Sequence, residues 1–202
     1  MVAFGRLSRT IGVLAALAFA AAPGRAQTTT WTTTLTGPAE SPPNASPGTG
    51  TALITLTGNN LSINITFGGL LSTTTMSHIH CCTVTPFAGT AGVATMVPTF
   101  VDFPLGVTSG AYTHTFDLLL ASSYNPAFLT AVGGDVTVAR NTLVNGMLNG
   151  VAYLNIHTTQ FPGGEIRGFL VVTPEPASAL LLGSGLAAVG GVLRRRKAAK
   201  TA

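Results

Sequence analysis

Apolar and polar residues alternate with a period of two where Leu61, Ile63, Ile65 and Phe67 are interleaved with Asn60, Ser62, Asn64 and Thr66. That period puts every apolar side chain on one face of a strand. Leu53, Ile54 and Leu56 come just before Gly58-Asn59-Asn60, so the two runs read as a β-hairpin turning on glycine and asparagine. Further strands are predicted at 31–35, 75–81, 92–97, 111–119, 151–157 and 165–172, in segments rich in β-branched residues and punctuated by Gly and Pro. Many short strands of this kind predict an all-β fold, an antiparallel β-sandwich of Ig-like or Greek-key type. A short helical insertion interrupts it near 125–149. Asn125-Pro126 has the form of a helix cap followed by proline at the first helical position, and Gly133-Gly134 closes that helix. Asp135 caps a second helix that carries Val136, Ala139, Leu143 and Met147 on one face to a stop near Gly150, with Gly146 and the β-branched residues opposing it.

At both ends the pattern becomes continuous. Ile11 to Ala22 is an apolar run of 12 residues behind Arg6 and Arg9, with Gly24 and Ala26 placed for cleavage before Gln27. It falls short of the roughly 20 residues a spanning helix needs, so residues 1–26 are expected to be a secretory signal peptide. Between Ala177 and Leu193 the only polar side chains are Ser178 and Ser184, and Arg194-Arg195-Arg196-Lys197 follow. At 1.5 Å per residue this stretch reaches about 26 Å, barely enough for a transmembrane helix over 177–193. The basic tail, 194–200, is then expected to stay cytoplasmic, with the folded part on the outside.

Composition sharpens this picture through where the charge lies. Charged residues make up only 8% of the chain, and its formal charge is +4. Between residues 27 and 173, however, Arg140 and Arg167 stand against Glu40, Asp102, Asp117, Asp135 and Glu165, a net charge of −3 with no lysine. The basic character belongs to the ends, so nucleic acid is not an expected partner.

Pro174-Glu175-Pro176, the short apolar helix and the arginines Arg194, Arg195 and Arg196 together resemble a PEP-CTERM sorting signal over 174–202. The resemblance implies handling by secretion machinery and an exosortase-type membrane protease that removes the tail and passes the protein to the cell surface. A permanent C-terminal anchor is the alternative, and both imply export.

The remaining residues, 27–173, form one expected domain. Within it, Asn155-Ile156-His157-Thr158 followed by Pro162-Gly163-Gly164-Glu165-Ile166-Arg167-Gly168, with His78-Ile79-His80 upstream, resembles the CHRD domain. This implies an extracellular β-sandwich module. Cys81-Cys82 departs from the glycine commonly seen after such a histidine pair.

Three sets of residues could carry chemistry. His78 and His80, two apart on a strand, share a face, the spacing that lets two imidazoles hold one Cu or Zn ion, and His157 is the candidate third ligand. Such ligands must approach within about 4 Å of one another when each lies ~2.1 Å from the ion. The competing expectation is that these histidines hydrogen-bond across strands or to Glu165. Glu165 and Arg167, also two apart, are expected to form a partly buried structural ion pair; the alternative gives Glu165 an acid role in glycoside hydrolysis with Asp102, Asp117 or Asp135. Cys81 and Cys82 are expected to form a vicinal disulfide, to pair between molecules, or to ligate metal beside His80. His114 is expected to face solvent.

No complete catalytic set is present, and no enzyme activity is expected. The function expected is that of a non-enzymatic module of the extracellular matrix or adhesion system, with exopolysaccharide or cell-surface proteins as partners. The alternative is an extracytoplasmic protein that binds Cu or Zn through His78, His80 and His157.

Overall fold

The computed structural model describes residues 27–174, together with 185, 188 and 189. The expected signal peptide over 1–26, the apolar run 177–193 and the basic tail lie outside the described residues, apart from those three positions. No helix among the described residues is long and apolar enough to cross a membrane.

Between residues 27 and 174, eight strands and two α-helices follow in order: β1 (Thr28–Thr36), β2 (Thr49–Thr57), β3 (Asn60–Gly68), β4 (Thr74–Cys81), β5 (Gly110–Asp117), α1 (Pro126–Ala131), α2 (Val136–Leu148), β6 (Ala152–Thr158), β7 (Ile166–Phe169) and β8 (Val171–Thr173). The predicted hairpin is β2–β3, paired without a break from Thr49↔Gly68 to Thr57↔Asn60. Gly58, at φ +63°, opens its two-residue turn, where a positive φ suits the right-handed twist of the flanking strands. Gly50, Ala52, Ile54 and Leu56 of β2 and Leu61, Ile63, Ile65 and Phe67 of β3 are buried, while their threonine and asparagine neighbours face outward.

All strand pairs are antiparallel and form one eight-stranded sheet in the order β4-β6-β7-β1-β2-β3-β5, with β8 also on β1. The expected sandwich of two separate sheets is therefore corrected to a single sheet curled as a half-barrel. Continuity comes from β1. One of its edges pairs with β2 over all nine residues; the other meets β7 at Thr36↔Arg167 and β8 at Thr30–Thr32. Both halves enclose one core, in which Ile79, Leu154 and Ile156 join Trp31, Ile54 and Ile63.

The strand expected at 92–97 is reduced to isolated bridges, His80↔Val93 and Thr95↔Tyr124. The segment still runs along β4, but Thr95 and Thr99 hydroxyls accept from the N–H groups of Ile79 and Ser77 in place of backbone carbonyls. Side chains thus replace part of the ladder.

Both helices form as the capping residues predict. The Asn125 side chain accepts from Ala127 N, and that of Asp135 accepts from Thr137 N and Val138 N. In α2, Ala139, Leu143, Gly146 and Met147 are buried. Gly146, a poor helix former, sits where a Cβ would collide with the sulfurs of Cys81 and Cys82.

Candidate metal centre

Strand β6 is buried at all seven positions, because both of its faces are covered. Ala152, Leu154 and Ile156 enter the apolar core. Tyr153, Asn155 and His157 point to the other face, as period-two geometry requires. Register brings His78 and Arg167 to either side of Asn155, and His80 and Phe169 to either side of Tyr153, while His157 pairs with Met76. Loops lie over this second face, and their carbonyls reach its side chains.

The three histidines converge there. One nitrogen from each ring lies within 4.8 Å of the other two, and all three residues are buried. His78 Nε2 donates to Pro98 O at 2.7 Å, His80 Nδ1 to Ala91 O at 2.9 Å, and His157 Nδ1 to Pro162 O at 2.9 Å. A carbonyl can only accept, so each of these nitrogens carries the proton of a neutral imidazole. The remaining nitrogens, His78 Nδ1, His80 Nε2 and His157 Nε2, are lone-pair bearers, buried and without a hydrogen-bond partner. Burial lowers the pKa of His78 to about 4, with the neighbouring His157 and His80 adding to the effect. Burial also lowers His80 and His157. All three rings are therefore uncharged at neutral pH. The hydrogen bonds to Glu165 expected as an alternative are not formed; the partners are backbone carbonyls.

Around the rings lies a polar and aromatic layer. Tyr153 stacks on His80 with centroids 4.7 Å apart and an interplanar angle of 8°. The Arg167 guanidinium lies 4.8 Å from the Tyr153 centroid. Asn155 Oδ1 is buried without a partner.

The expected Glu165–Arg167 ion pair is corrected. Arg167 faces Glu40, with Nε 3.7 Å from Oε2; Nε also donates to Ala39 O, and Nη1 to Gly89 O at 3.1 Å. Glu165 precedes the first residue of β7 and turns the other way. Its Oε1 accepts from Ser46 Oγ and Leu71 N, both at 2.6 Å, and Oε2 from Thr158 Oγ at 2.7 Å. A fully buried carboxylate with both oxygens engaged is a structural anchor, poorly placed to protonate a sugar. Sequence reasoning missed Glu40 because it lies in a proline-rich lead-in; the signal available was its place among only five carboxylates between residues 27 and 173. Burial outweighs the attraction of Arg167 and pushes its carboxyl up to about 7.

Cys81 and Cys82 are bonded to each other. The disulfide packs on Gly146 of α2, on the side of β4 opposite His80, so the sulfurs do not join the histidines. His114 does not face open solvent: it is half-buried on the inward side of β5, between Tyr112 and Phe116.

A family model described as the CHRD domain matches residues 31–170. No curated protein and no solved structure matches the chain.

Proposed function

The chain belongs to the CHRD domain family through residues 31–170, and from that premise we propose that it is an extracytoplasmic metal-binding module whose His78, His80 and His157 hold a single Cu or Zn ion. One observation carries this reading: three buried imidazoles, each tethered through one nitrogen to a backbone carbonyl, keep three nitrogens unpartnered, and the rings converge so that one nitrogen of each lies within 4.8 Å of the other two. A buried polar atom without a partner costs about 1–3 kcal/mol, and three in one place make a bound ion the economical explanation. Tethering one ring nitrogen to an acceptor is also how metal-ligating histidines are commonly oriented. A set of imidazoles without carboxylate or thiolate suits Cu and Zn. Ligands on one ion stand about 3.5 Å apart, so small ring movements within the 4.8 Å set complete the site.

Export is part of the proposal. Residues 1–26 act as the signal peptide, and residues 174–202 act as the sorting signal read by the exosortase-type protease. Metal analysis of the purified protein tests the site. About one equivalent is expected, with loss in a folded His78→Ala protein; less than a tenth of an equivalent after exposure to both ions ends the reading.

A second reading, a non-enzymatic matrix or adhesion module, draws on the outward sheet face. There Thr32, Thr34, Thr51, Asn64, Thr66 and Thr113 line an uncharged trough of about 700 Å³. Retention of the protein by its host's exopolysaccharide, lost on Thr51→Glu, is the outcome that supports it.

A further inference from the structure

We infer that Asn155 supplies a fourth ligand, an amide oxygen added to the three imidazoles, and that this oxygen biases the site toward a divalent ion over Cu(I). The inference rests on the three-histidine reading above. Zn is commonly four-coordinate, so three histidines leave one position to fill. Strand register sets His78 directly across from Asn155, and His157 follows two residues on along the same face. Asn155 is 2% exposed, and its Oδ1 is buried without a hydrogen-bond partner.

The amide is oriented from behind. A Cβ on Gly164 would lie 2.9 Å from Asn155 Nδ2 and would collide with the Glu40 carboxyl, so the NH₂ end of the amide is on the Glu40 side. A donor belongs there: Glu40 Oε1 can accept, while Oε2 faces Arg167. Gly164, at φ +130°, has no side chain to hold these groups apart. The oxygen is left for the histidine side.

On that side it meets His80. The oxygen lies within reach of the ring, whose protonated form would donate to it. Nδ1 already donates to Ala91 O, so the nitrogen concerned is Nε2. In the neutral ring Nε2 is a lone pair facing the lone pairs of Oδ1, and neither atom can donate to the other, which is why both stay unpartnered. Lone pairs from four side chains, gathered with no donor among them, suit a cation. An amide oxygen is a hard donor that suits divalent ions, whereas Cu(I) is served by soft ligands.

Competition against a chromophoric chelator, on the full chain in mild detergent, tests the inference by giving affinities for Zn and for Cu(I). Asn155→Leu is expected to bind Zn about 10–100-fold more weakly and Cu(I) as the unaltered chain does. Asn155→Asp, which keeps an oxygen at the same place, is expected to hold Zn at least as tightly as the unaltered chain. Lost packing would weaken both ions alike, so the split between them marks a ligand. In the unaltered chain the carbon-13 resonance of the Asn155 side-chain carbonyl is expected to shift until Zn reaches one equivalent, a readout that needs no variant. Equal weakening for both ions, weakening for neither, uptake of Cu(I) but not Zn, or a carbonyl resonance that stays in place while Zn binds overturns the role of Asn155 and leaves the three histidines standing. A chain that takes up neither Cu nor Zn ends the three-histidine reading, and this one with it.

Discussion

The rings of His78 and His157 meet edge to face with centroids 5.4 Å apart, on strands β4 and β6 that are hydrogen-bonded neighbours. Each ring is held from behind by the carbonyl of a proline, Pro98 for His78 and Pro162 for His157. On the proposed reading no ring has to break its backbone hydrogen bond to offer its other nitrogen, although the 4.8 Å set must draw closer around an ion.

An ion that binds only the folded chain raises its stability by mass action, about 2.7 kcal/mol at a hundredfold excess over the dissociation constant. Addition of Cu or Zn to metal-free protein is therefore expected to raise the thermal midpoint by several degrees. His157→Ala should abolish that rise, and His114→Ala should leave it intact. Differential scanning fluorimetry decides, and equal shifts in both variants would locate the ion elsewhere.

Acid should destabilise the metal-free protein. His78 takes up its proton near pH 4 when folded and near 6.5 when unfolded, so the unfolded chain binds more protons between those values. Its contribution is intact above 6.5, declines as pH falls below it and is gone below about 4, a loss of roughly 3 kcal/mol. His80 and His157, lowered by burial as well, act in the same direction. Glu40 opposes them: its carboxyl, at about 7 when folded and 4.5 when unfolded, favours the folded state more as pH falls through that window. Urea midpoints taken between about pH 4 and pH 7 should fall with acid, and fall more steeply in Glu40→Gln, which lacks the compensating group.

Glu165→Gln replaces one carboxylate oxygen with an NH₂, which must face either the Ser46 Oγ and Leu71 N pair, which donates to Oε1, or Thr158 Oγ, which donates to Oε2. Mispairing at a fully buried position is expected to cost about 3 kcal/mol. In a double-mutant cycle, Glu40→Gln with Arg167→Met should show coupling of about 1 kcal/mol or more, as residues in one ion pair do. Chemical denaturation of the four proteins checks it, and additive effects would separate Glu40 from Arg167.

Gly146→Ala ordinarily stabilises a helix by about 1 kcal/mol. Here the new methyl would lie 2.7 Å from Cys82 Sγ and closer still to Cys81 Sγ. Overpacking against a covalently closed pair outweighs the helical gain, and a net loss of about 2 kcal/mol is expected in a thermal melt. An unchanged or higher midpoint would show that α2 moves away from the disulfide without penalty.

Features set by near neighbours were legible in the residues. The β2–β3 hairpin follows from alternation around Gly58, and both helices follow from Asn125 and Asp135 as caps. The shared face of His78 and His80 follows from their spacing. What depends on distant pairing was not. Nothing near Arg167 indicates that Glu40, rather than Glu165, lies against its guanidinium, because the choice is made by how the 37–48 loop folds over β7. Segment 92–97 has the composition of a strand, yet Thr95 and Thr99 hydroxyls displace backbone acceptors along β4. Whether eight strands make one sheet or two was decided by the single pairing Thr36↔Arg167, a contact no local pattern encodes.

The cover over β6 also bears on kinetics. Pro98, Ala91 and Pro162 belong to loops, and their carbonyls are the same groups that steady the imidazoles. An ion seated beneath them could exchange only when those loops lift. Its residence time would then be set by the frequency of local opening, and a competing chelator would strip it at a rate that levels off with chelator concentration.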